Sequence, residues 1–74
     1  MKGIVFMAKF ILTKREEEIF KLLIQNKTTK EIAAILNISE KTVRNHISNC
    51  IQKLGVNGRT QAVIELIKLG ILNI

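Results

Sequence analysis

The sequence predicts an all-α domain of four helices, and three observations carry that expectation. None of the 74 residues is proline, and no segment sustains the two-residue alternation of a strand. Two Thr-x-x-Glu signatures, Thr13 with Glu16 and Thr28 with Glu31, each mark a helix start through reciprocal side chain–backbone bonding. Asn26, Asn37, Gly55 and Gly70 separate the apolar runs, and Asn and Gly are the residue types that best tolerate the backbone in which helices end.

Residues 1–11, MKGIVFMAKFI, read as an N-terminal arm ahead of a domain over 12–74. The arm is too short for the roughly 20 apolar residues of a membrane span, and Lys9 interrupts the run that a signal peptide would need. The first helix is expected over about 14–25, with Ile19, Phe20, Leu23 and Ile24 on its apolar stripe and Asn26 turning the chain out of it. A second, over about 29–36, carries Ile32 and Leu36, with Ala33 small where a neighbouring helix must approach closely. Asn37 makes a left-handed turn, and Ser39 supplies the cap for a third helix over about 40–54. Gly55 closes that helix. Asn57-Gly58 makes a further turn, and a fourth helix runs over about 59–69 to Gly70.

Residues 28–54 therefore form two short helices joined by a tight turn, the unit that presents a helix to a DNA groove. On a wheel with Val43 at zero, Leu54, Ile47, Ile51 and Cys50 fall within about 80°, a stripe that must face a core. Very roughly 100° to 200° round lie Arg44, Ser48, Lys41, Gln52 and Asn45. That face offers cations, amides and a hydroxyl: Arg can give two donors to guanine, and Asn or Gln can pair with adenine. The alternative is a plain solvated face, but such faces usually mix Glu with Lys.

The segments LTKREEEIFKLL, KEIAAILNISEKTVRNHI and QKLGVNGRTQAV resemble, in order and spacing, the LuxR-type helix-turn-helix domain of bacterial transcription regulators. The resemblance runs from about Leu12 to Leu69. One departure is Asn26, where the family pattern usually has glycine. The likeness implies a four-helix fold with the third helix in the major groove of double-stranded DNA, and a homodimer reading an inverted repeat. It implies base contacts from Arg44, Asn45 and Ser48. Phosphate contacts are expected from Thr28, Thr29, Lys30, Lys41 and Lys53, the threonines and nearby amides acting at the start of the second helix. Arg59 is expected either on phosphate or in an ion pair with a glutamate of the first helix. Within the family the likeness is to short, stand-alone regulators of sporulation, which implies control of sporulation genes, a cytoplasmic location and RNA polymerase as a further partner.

Composition agrees with a polyanionic partner and removes other classes. The formal charge is +6, with Glu16, Glu17 and Glu18 gathered at the first helix and most cations in and after the two-helix unit. Three phenylalanines are the only aromatics, a poor platform for stacking single-stranded bases. One cysteine, Cys50, excludes an internal disulfide, and with His46 it is too few ligands for structural zinc. No metal or other cofactor is expected. No nucleophile with a base and no phosphate-cradling glycine loop occurs, so an enzyme is not expected. His46, at the edge of the apolar stripe, reads as a half-buried ring bonded to backbone, with a phosphate contact as the alternative.

The fourth helix carries a separate signal. With Ala62 at zero, Leu66 and Leu69 lie close by and can face the core, while Val63, Ile67 and Ile64 continue the apolar arc to roughly 200°. One small core cannot cover so wide an arc, and contiguous exposed apolar surface marks an interface. A two-fold dimer is expected through Val63, Ile64, Ile67 and Ile71, with an arm folded back over the helix as the competing explanation. A helical protein-interaction module using this same helix is the alternative function.

Overall fold

The structure, a computed structural model, describes residues 12–73. The arm expected over 1–11 lies outside the described residues. The helices are α1 (Lys14–Ile24), α2 (Thr29–Leu36), α3 (Glu40–Leu54) and α4 (Arg59–Lys68), with no strand among the described residues. α2 and α3 match the expected bounds, whereas α1 and α4 each stop one residue short. Gln25 and Leu69, expected to be helical, are the caps there.

The starts are built as the spacing predicts. The Thr13 hydroxyl accepts from the Glu16 amide at 3.1 Å, and the Glu16 carboxylate accepts from the Thr13 amide at 2.9 Å. Thr28 and Glu31 repeat the exchange at 3.1 and 2.8 Å. The Ser39 hydroxyl accepts from the Thr42 amide at 3.0 Å. Among the described helices, only α4 begins without a side-chain cap, at Gly58.

All four ends share one device. Asn26, Asn37, Gly55 and Gly70 have φ of 68°, 58°, 69° and 79°. At each, paired amides return to the last turn: Asn26 to Leu23 and Lys27 to Leu22, Ile38 to Ala33, Val56 to Ile51, Ile71 to Leu66. These bonds satisfy carbonyls that a helix end otherwise leaves unpaired. At Gly55 and Gly70 a side chain would be strained in that conformation.

α3 is the central helix, packed against α1, α2 and α4. Its inward residues Val43, Ile47 and Cys50 meet Ile19 and Phe20 of α1, Ile32 and Ala33 of α2, and Ala62 and Leu66 of α4 in one core. One expectation is corrected here. Ile71, expected at a dimer interface, is only 8% exposed, and Leu72 is buried with it. The turn at Gly70 is the reason: the amides of both residues bond the Leu66 carbonyl, at 2.9 and 3.2 Å, which carries their side chains back into the core.

Candidate nucleic-acid interface

α3 is held by its apolar stripe, and that decides what its other side can present. With Val43, Ile47 and Cys50 buried, Lys41, Arg44, Asn45, Ser48 and Gln52 are all exposed. The three residues expected to read bases therefore lie together on one solvent-facing surface. Arg44 is not wholly loose: its guanidinium lies 3.5 Å from the Glu40 carboxylate one turn earlier, with 57% of its side chain exposed. Glu40 stands only about 40° from Arg44 around the helix, so the reading surface carries a carboxylate at its margin that its expected composition lacked. His46 is half-buried. The buried Cys50 thiol is pushed up to about 11 by loss of solvent, with the Glu16 carboxylate adding to the effect, so it stays protonated at neutral pH.

The start of α2 carries the expected phosphate contacts Thr28, Thr29 and Lys30. Lys30 and Thr28 are exposed and Thr29 is half-buried. The capping box engages the amides of Thr28 and Glu31, which leaves those of Thr29 and Lys30 as the helix-start donors without an intrahelical partner. The bond from the Thr28 backbone, then that of its hydroxyl, with Lys27 nearby, holds the Glu31 carboxyl below its ordinary value. A charged carboxylate thus sits at this end, flanked by Lys27 and Lys30.

Lys53 departs from expectation, and Arg59 from one of its two expected roles. The Lys53 ammonium, expected on phosphate, instead donates to both oxygens of Glu16, at 2.8 and 3.1 Å. Glu16 is 2% exposed, the one buried charged residue among those described. Arg59, expected either on phosphate or paired with a glutamate of α1, makes no such pair among the described residues; Lys53 holds that position instead. Arg59 lies exposed at the rim of a groove of about 430 Å³ between the end of α1 and α4, lined by Leu23, Ile24, Val63, Ile64 and Ile67. In that groove Val63 and Ile67 are half-buried, and Ile64 is 48% exposed.

The part played by Glu16 is missing from the sequence reading, which used it as a cap and as one of three glutamates gathered at the first helix. A signal was present. Around α1, Glu16 falls inside the arc of Ile19, Phe20 and Leu23, where a carboxylate must be buried and so must find a cation. No group of three or more metal-binding side chains occurs among the described residues, and no described helix is long and apolar enough to cross a membrane.

Residues 10–66 match the family of bacterial regulatory proteins, luxR family. The chain is 65% identical over its full length, and over all of the relative, to the spore germination protein GerE of Bacillus subtilis (strain 168). It is 53% identical over 60 residues to the transcriptional regulatory protein DegU of Brevibacillus brevis, covering 81% of this chain but 25% of DegU. The solved structure of the transcription factor GerE superposes with a TM-score of 0.83 at 63% identity, covering 85% of this chain and 94% of that one.

Proposed function

Because the chain belongs to the luxR family of bacterial regulatory proteins, and is a DNA-binding transcription regulator rather than an enzyme, we propose that it reads double-stranded DNA with α3 in the major groove. The observation that carries this reading is the exposed row of Arg44, Asn45 and Ser48 on a helix whose opposite side is locked in the core. In this reading those three residues meet base edges, with Arg44 leaving Glu40 to bond guanine. Lys41, Lys30, Arg59, Thr28 and the amides of Thr29 and Lys30 hold phosphates and set the register.

The protein acts as a two-fold dimer through α4. Ile64, Val63 and Ile67 support this, since together they leave apolar surface beside an open groove. Ile71 takes no part, being committed to the core. Two such units read an inverted repeat with half-sites about one helical turn apart or less. Full-length likeness to a spore germination protein supports control of sporulation genes, with RNA polymerase as the partner through which transcription changes and the cytoplasm as the compartment.

Selection from a random duplex library at about 150 mM salt, with Arg44→Ala in parallel, tests the reading. Enrichment of a two-fold symmetric motif that the variant fails to enrich is the expected result. A folded protein that enriches nothing would move the specificity to a partner and the α4 surface to its docking.

A further inference from the structure

We propose that Glu16 is a positioning residue for DNA reading, holding α3 in its reading pose through Lys53, and that Lys53 serves DNA binding through this pair rather than by touching phosphate. The proposal deepens the groove reading above and rests on it.

Geometry separates Lys53 from the reading surface. It follows Arg44 by nine positions and Ser48 by five, which at roughly 100° per residue puts it about 180° and about 140° round the helix from them, and about 80° beyond Asn45. Its ammonium is directed to Glu16, which also accepts the Thr13 amide at 2.9 Å. One buried carboxylate therefore joins the cap of α1 to the last turn of α3, across 37 residues of chain.

The buried contacts of α3 through Val43, Ile47 and Cys50 are apolar. Apolar contact resists separation but is non-directional, so a helix can tilt against it at small cost. Charge-assisted bonds to a buried carboxylate specify distance and angle. Arg44 lies about 13 Å along the axis from Lys53 at the usual rise per residue, so a tilt of about 10° would move it by about 2 Å. Base-edge hydrogen bonds do not survive that displacement. The electrostatics point the same way: a lysine at 2.8 Å from a buried carboxylate adds little net charge for counterion release.

The two roles predict opposite signs for Glu16→Gln. Glutamine keeps the shape and can still accept the Thr13 amide, but it removes the negative charge that the Lys53 ammonium meets at this position. A phosphate-binding lysine would then bind all DNA more tightly, whereas a positioning pair would lose discrimination. Glu16→Gln, the double variant Glu16→Gln/Lys53→Met and Arg44→Ala are titrated, as full chains, against the duplex selected by the parent protein and a scrambled duplex. Salt is varied and thermal melts are recorded for each. The expected result is a loss of about tenfold on the selected duplex, the scale of one good base contact, with scrambled binding and salt slope unchanged in both Glu16 variants. Tighter binding to both duplexes by Glu16→Gln, or a slope flatter by about one unit in the double variant, would overturn the proposal in favour of a phosphate contact. An unchanged ratio of selected to scrambled affinity in folded variants would overturn it too, leaving the pair to the fold alone. The double variant leaves no unpaired buried charge, so it decides the matter by the same criteria if Glu16→Gln does not fold. Loss of discrimination by Arg44→Ala but not by the Glu16 variants would refute the pair's role while sparing the groove reading; failure of the parent to select any duplex would refute both.

Discussion

Replacing Arg44 with alanine removes a guanidinium that the fold does not need. Its side chain is 57% exposed, and its one ion pair among the described residues, to Glu40 at 3.5 Å, is itself at the surface. Such a pair contributes about 0–1 kcal/mol, and alanine has a slightly better helix propensity, so the melting temperature should stay nearly constant. On DNA the loss is larger. A bidentate arginine–guanine contact discriminates by about 1–3 kcal/mol, from which up to about 1 kcal/mol is deducted because the parent must first separate Arg44 from Glu40. The selected duplex should therefore bind about tenfold more weakly, and at most about 100-fold, while a scrambled duplex loses only the small share due to one positive charge. Fluorescence anisotropy titrations on the two duplexes, at one fixed salt concentration, measure both. Equal losses on the two duplexes would refute the base-reading role, and an undiminished affinity for both would remove Arg44 from the interface altogether.

Ile64→Asp should leave the fold intact, because Ile64 is 48% exposed, yet yield a monomer at concentrations where the parent sediments as a dimer; a variant that stays dimeric would place the contact elsewhere. Thr28→Ala should cost about 1 kcal/mol in urea unfolding at neutral pH by removing the cap of α2. It should also reduce the pH dependence. The folded Glu31 carboxyl lies below its ordinary value, so its contribution is present above the ordinary carboxylate range and is lost as pH falls through the lowered one; an equal acid sensitivity in the variant would contradict this. The Cys50 thiol, raised to about 11, should resist iodoacetamide at pH 8 in the folded protein and react readily in urea. By linkage the neutral thiol favours the folded state below its unfolded pKa, near 8.5, and that contribution is lost as pH rises through about 11. Fast labelling of the native protein would refute the burial argument.

How far this molecule could be read from its residues depended on the reach of each interaction. The helix starts at Thr13, Thr28 and Ser39 and the left-handed stops at Asn26, Asn37 and Gly55 are made by groups three to five positions apart, so the order of residues was enough to set them. The exposed face of α3 was legible for a related reason: once Val43, Ile47 and Cys50 must point inward, a 3.6-residue period sends Arg44, Asn45 and Ser48 outward. The family likeness followed from the same local spacing.

Tertiary structure decided the rest. Lys53 is one more cation near a basic helix until the fold brings Glu16 to it from the other end of the chain, and then its charge is engaged across the core. Ile71 looked like spare apolar surface beyond the last helix, yet the turn at Gly70 returns it, with Leu72, to the core that the four helices form. Val63 and Ile67 are half-buried and line a groove with Leu23 and Ile24 from the end of α1, which their spacing along α4 did not show. Hydrogen bonds to near neighbours need only the local backbone, so sequence spacing determines them. Burial and ion pairing between distant residues depend on which surfaces meet, and those meetings exist only once the whole chain has packed.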